Sequence, residues 1–165
     1  MSLAQRAWEM LESIPDPEIP VVSIRELGIL REINEHGGEL EIVITPTYSG
    51  CPAMGQIEDD VRAALSSHGI SARVVTRLAP AWTTDWITPE AKEKLRAFGI
   101  SPPHSAGQDN IVRLARRPAS NAVAVPCPRC GSGNTTETSH FSSTACKALY
   151  KCLDCLEPFD YFKPY

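Results

Sequence analysis

GILREINEHGGELEIVIT, residues 28–45, is the stretch on which the fold turns. Leu40, Ile42 and Ile44 share one face of an extended segment, Glu39 and Glu41 the other, and His36-Gly37-Gly38 supplies a turn, so the spacing predicts a β-hairpin. Just beyond it, TPTYSGCPAM leads from the second strand into a segment where Met54, Ile57, Val61, Ala64, Leu65 and His68 recur at three and four residues until Gly69. That is the pattern of an amphipathic helix. Pro52 suits its first turn, which puts Cys51 at or near the N-cap. Residues 71–78, SARVVTRL, then alternate as a third strand. A strand-helix-strand crossover allows that strand to lie parallel to one strand of the hairpin.

Upstream, Leu3, Ala7, Leu11 and Ile14 predict a short helix that Pro15, Pro17 and Pro20 convert into a rigid loop. Downstream, Thr88 caps, Pro89 and Glu90 open and Gly99 closes another helix, with Ala91, Leu95 and Phe98 turned inward. Residues 1–100 therefore read as a compact α+β domain of order α-β-β-α-β-α with a small mixed sheet. Residues 101–126 hold four prolines and little periodicity, the composition of a flexible linker.

Residues 127–165 contain CPRC and CLDC, two knuckles separated by enough chain for a hairpin. Cys127, Cys130, Cys152 and Cys155 supply the closed four-thiolate set of a structural zinc ribbon, one ion per chain. A segment this short has too little core to fold without such a staple. A rubredoxin-like iron site is the competing reading, since Gly131 follows Cys130 as in rubredoxin knuckles, but Leu156 follows Cys155. Phe141, Tyr150, Phe159, Tyr161, Phe162 and Tyr165 crowd the same module; some must form its core, and any left exposed suit protein contact. Cys146 reads as a small buried residue.

Hydrophobic residues make up 42% of the 165-residue chain, and its formal charge is −4, unevenly spread. Residues 1–100 carry 15 acids against 9 Lys and Arg, and residues 127–165 balance four against four. Neither segment has the basic footprint of a nucleic-acid binder. No apolar run approaches the ~20 residues that span a bilayer, and the opening residues lack a signal-peptide pattern, so the expectation is a soluble cytoplasmic protein with reduced thiols.

Cys51 lies between a strand end and a helix start, where unpaired N–H groups and the helix dipole favour a thiolate. It reads equally as reactive or as a buried, inert residue. Asp16 and Glu18 in the DPEIP loop, Thr45 and Thr47 at the strand exit, and Asp85 between Trp82 and Trp86 are the nearest sources of chemistry. Each has a plainer reading: Asp16 and Glu18 as turn-formers, Asp85 as a cap, the tryptophans as core. No Cys/His/Asp order, phosphate loop or HExxH is present.

DPEIP, TPTYSGCP, PAWTTDW with ITPEA and GISPP, and the tail STACKALYKC with EPFDYFK together resemble the phenylacetate-degradation protein D family, small accessory components of the bacterial phenylacetyl-CoA epoxidase. The N-terminal domain is similar to the wider family of iron–sulfur assembly factors that includes the Suf-associated protein T and eukaryotic cytosolic iron–sulfur targeting proteins. The resemblance implies a maturation factor rather than an enzyme on its own, acting by contact with the oxygenase or reductase component and with general iron–sulfur assembly proteins. It implies transient iron or an iron–sulfur cluster at Cys51, with Asp16 or Glu18 as helper. A structural or redox-active subunit of the epoxidase is the alternative, and homo-oligomerisation stays open. Neither nucleic acid nor membrane is an expected partner.

Overall fold

The computed structural model describes residues 1–104 and 124–165. Residues 105–123, most of the expected linker with Arg113, Arg116 and Arg117, lie outside the described residues. The chain divides into two units, Met1–Ala91 and Lys92–Tyr165.

The first unit is built around the hairpin. Strands β1 (Leu30–His36) and β2 (Glu39–Ile44) pair antiparallel with Ile33 opposite Ile42, and β3 (Ala72–Thr76) joins β2 in parallel, giving the order β1-β2-β3. Central β2 is inaccessible on both faces near its end: Leu40, Ile42 and Ile44 are buried, and so is Val43. Helix α1 (Leu3–Leu11) starts at a capping box of Ser2 and Gln5 and packs on β1 and on α2 (Ala53–Ser66), which in turn packs on β3. The stripe Ala53, Ile57, Val61 and Leu65 is buried, and each larger side chain contributes roughly 1.5–3 kcal/mol by leaving water.

The two tryptophans close the unit beside the Leu27–Gly28 turn. Trp82 is buried and its Nε1 donates to the Leu27 carbonyl at 2.9 Å. Trp86 packs against Gly28, which has φ +73° and whose missing Cβ would stand 2.6 Å from Trp86 Cβ. The β1–β2 register shifts between Leu30 and Glu32, leaving Arg31 as the bulged residue, and its guanidinium lies 3.5 Å from the centre of the Trp86 ring.

In the second unit, β5 (Thr135–Ser139), β6 (Lys147–Cys152) and β7 (Pro158–Phe162) form an antiparallel ribbon. A fourth strand that sequence periodicity did not reveal, β4 (Ile100–Ser101), lies parallel to β7, giving the order β4-β7-β6-β5. Ser101, Pro102 and Pro103 are buried, so the start of the expected linker is ordered structure. Helix α3 (Pro89–Ala97) is capped by Thr88 as expected, its Oγ1 accepting from the Ala91 N–H, and Ala91 and Leu95 are buried. Phe98 is not inward: it is 54% exposed. The helix stops at Ala97, and Gly99 at φ +92° swings the chain into β4, taking Phe98 off the helical stripe. One cluster of the ribbon core joins Val125, Cys127, Cys152, Phe159 and Tyr161 with Tyr150 packed against it, and Ala148 and Phe162 are buried as well. Phe141 and Tyr165 are left exposed, while Cys146 is buried.

The division also sharpens the charge asymmetry. Met1–Ala91 holds 14 acidic and 6 basic residues, a net of −8, and Lys92–Tyr165 holds 6 and 10, a net of +4.

Candidate metal centre and thiol site

The four ribbon cysteines converge as their spacing predicts. Each knuckle folds because a backbone N–H needs a partner: Gly131 N–H donates to the Cys127 carbonyl at 2.9 Å, and Cys155 N–H donates to Cys152 Sγ at 3.5 Å. All four Sγ atoms lie within 4.8 Å of one another, with Cys127–Cys155 at 3.7 Å and Cys130–Cys152 at 3.6 Å. A tetrahedral ion with metal–sulfur bonds of about 2.3 Å requires sulfurs about 3.8 Å apart, so the cage fits such an ion. The Cys155 amide draws the Cys152 thiol down to about 7 against the opposing effect of burial, while Cys130 and Cys155 in the same cage are raised.

The knuckles are braced to each other by Asp154, which accepts from Asn134 Nδ2 at 2.8 Å and from Ser132 Oγ. Sequence spacing gave no sign of this clasp. Asp154→Ala is expected to speed loss of the ion to a competing chelator by ~10-fold, the scale of outer contacts at metal sites; an unchanged rate would show that the clasp is incidental. The residue after each knuckle's second cysteine has positive φ: Gly131 at +76° in the first and Leu156 at +64° in the second. For a leucine this left-handed backbone costs of order 1–3 kcal/mol, and its side chain is 64% exposed.

Cys51 sits one residue before the N-cap, which is Pro52. Its N–H donates to the Tyr48 carbonyl at 3.1 Å, and the thiol is half-buried. Burial raises the Cys51 thiol above its ordinary value, the Ala53 N–H and Thr47 hydroxyl bonds only partly offset this, and the nearby charges of Glu18 and Asp16 push it up further. The DPEIP loop is thus brought close enough to act on Cys51. Asp16 itself is 5% exposed, and its Oδ1 accepts from the Glu18 N–H at 2.9 Å and the Ile19 N–H at 2.8 Å, the turn-forming role weighed for it. Thr45 is buried, with its N–H on the Ile29 carbonyl. Asp85 lies in the 3-10 turn Thr84–Trp86, where Thr83 supplies the cap. Among the described residues, the four ribbon cysteines are the group of three or more side chains converging tightly enough to hold a metal; Cys51, Asp16 and Glu18 do not form one.

Residues 114–163 match the PaaD zinc beta ribbon domain and residues 4–75 match the iron–sulfur cluster assembly protein family. Over 157 residues the chain is 50% identical to the protein of Escherichia coli (strain K12) described as the D-type subunit of 1,2-phenylacetyl-CoA epoxidase, covering 94% of this chain and 90% of that one. The chain belongs to the phenylacetate-degradation protein D family. It is also 32% identical over 89 residues to an Fe-S protein maturation auxiliary factor of Porphyromonas gingivalis, covering 52% of this chain and 84% of the relative. The crystal structure of a domain of unknown function, DUF59, from Bacillus anthracis shares the fold at TM-score 0.52 and 29% identity, over 56% of this chain and 90% of that one. The chain thus combines an assembly-factor domain with a zinc ribbon. No helix among the described residues is long and apolar enough to cross a membrane.

Proposed function

We propose that this chain is an accessory maturation factor of a phenylacetyl-CoA epoxidase system, whose first unit uses Cys51 to hold iron or an iron–sulfur cluster in transit to the oxygenase or reductase component. The observation that carries this is the lone, half-buried thiol at the β2–α2 junction, with two carboxylates close enough to act on it, in a domain of the iron–sulfur assembly family. A neutral thiol binds a metal only by giving up its proton, which weakens the complex and makes it depend on pH. One sulfur with no converging partners leaves the remaining metal positions to be filled by a recipient. Both features suit release rather than storage. Glu18 and Asp16, which do not converge on Cys51 as ligands, would then help bound cationic cargo through their charge. The ribbon's zinc is a structural ion, held in a closed site with no open position for chemistry.

Cys51→Ser is expected to leave zinc content and the unfolding midpoint unchanged while lowering the iron content of co-expressed epoxidase to the level found without this chain. Full iron loading with the variant would overturn the proposal. The E. coli relative is described as a part of the epoxidase itself, which favours a second reading, a structural role in the complex. Fixed stoichiometry with the mature epoxidase, combined with normal loading by Cys51→Ser, would establish that reading instead.

A further inference from the structure

A groove of about 320 Å³ runs within the second unit between the end of α3 and the zinc knuckles, lined among others by Arg96, Phe98, Pro128, Arg129, Glu157 and Pro158. Three features set it apart from ordinary surface. Phe98 presents an aromatic ring 54% exposed at its wall. Next in the chain to its Glu157 wall, the second knuckle keeps Leu156 in a left-handed backbone with the side chain 64% exposed, where the first knuckle uses Gly131. Glycine at that position would remove both the strain and the exposed apolar area, so folding alone does not account for the leucine. Leu153 in the same knuckle is also 48% exposed.

The third feature is charge. Arg96 and Arg129 form ion pairs with exposed carboxylates, those of Glu93 and Glu157, and their side chains remain 45% and 68% accessible. Exposed pairs of this kind exchange readily, and each guanidinium keeps further donors for an incoming carboxylate. The described residues of this unit hold 7 basic and 5 acidic side chains, a net of +2 that four thiolates with one Zn²⁺ bring to zero, so the positive charge offered at the groove is that of Arg96 and Arg129.

We propose that this groove docks an acidic segment of an epoxidase component, with one large apolar side chain seated among Phe98, Pro128 and Pro158, carboxylates meeting Arg96 and Arg129, and Leu156, exposed next to the Glu157 wall, covered by the same segment. The identity of the partner rests on the maturation role given above; the chemistry of the segment rests on the groove. An apolar anchor ringed by exchangeable charges gives affinity from burial and orientation from the guanidinium pair.

The test titrates the full, zinc-loaded chain with the purified oxygenase component and, separately, the purified reductase component. Wild type is expected to bind one of them, more weakly as salt rises. Leu156→Gly is expected to lose about tenfold in affinity while its thermal midpoint holds or rises, and Arg129→Glu to lose at least as much. Phe98→Ser provides an independent loss, should Arg129→Glu disturb the knuckle. Wild-type affinity in both Leu156→Gly and Phe98→Ser would overturn the groove while leaving the role of Cys51 standing. Failure of wild type to bind either component would overturn both. Self-association abolished by these substitutions would assign the groove to a second copy and overturn the proposal.

Discussion

Removing the metal from the full chain is expected to unfold residues 124–165 together with β4 and to leave the three-stranded sheet of the first unit intact. The buried apolar side chains of the ribbon are few, chiefly Val125, Ala148, Phe159, Tyr161 and Phe162 among the described residues, and the buried Cys127 and Cys152 are themselves ligands. So small a core does not by itself offset the conformational entropy lost in ordering the module. A structural Zn²⁺, worth on the order of 10–16 kcal/mol at neutral pH, is what tips it to the folded state. Cys152→Ser should mimic chelation. Amide spectra of the chelated protein would show collapsed dispersion for the ribbon and unchanged shifts for β1–β3; a ribbon that stays dispersed without metal would refute the argument.

The second large effect is expected at Gly28. Alanine there must hold φ near +73° and place a methyl carbon 2.6 Å from Trp86 Cβ and 3.0 Å from its carbonyl oxygen. The backbone penalty alone is about 1–2 kcal/mol. Relieving the clash requires moving Trp86, which separates its ring from Arg31, and the total should reach ~3 kcal/mol or more. Denaturant unfolding of Gly28→Ala followed by tryptophan fluorescence measures the loss. A shift under 1 kcal/mol would mean that the Trp86 packing is looser than the structure shows.

Much of this architecture is legible in the sequence because it rests on local patterns. The alternation at Leu40, Ile42 and Ile44, the helical stripe through Ile57, Val61 and Leu65, and the paired knuckles each declare themselves within a few residues. What periodicity misses depends on partners distant in the chain. Strand β4 is two residues long, has no period, and exists only because β7 offers an edge. Phe98 reads as inward only when the helical stripe is extended one residue past the helix end. At Cys51 the helix start alone suggests a thiolate; the opposing burial and the charges of the DPEIP loop are assembled only by the fold. The Trp82 and Trp86 contacts with the Leu27–Gly28 turn are likewise invisible to periodicity.

Because Ile100 and Ser101 of β4 are seated beside β7, and Ser101 Oγ donates to the Pro126 carbonyl at 2.9 Å, both flanks of residues 105–123 are anchored in the same unit. Changing the length of the chain between such fixed ends alters the closure entropy only slowly.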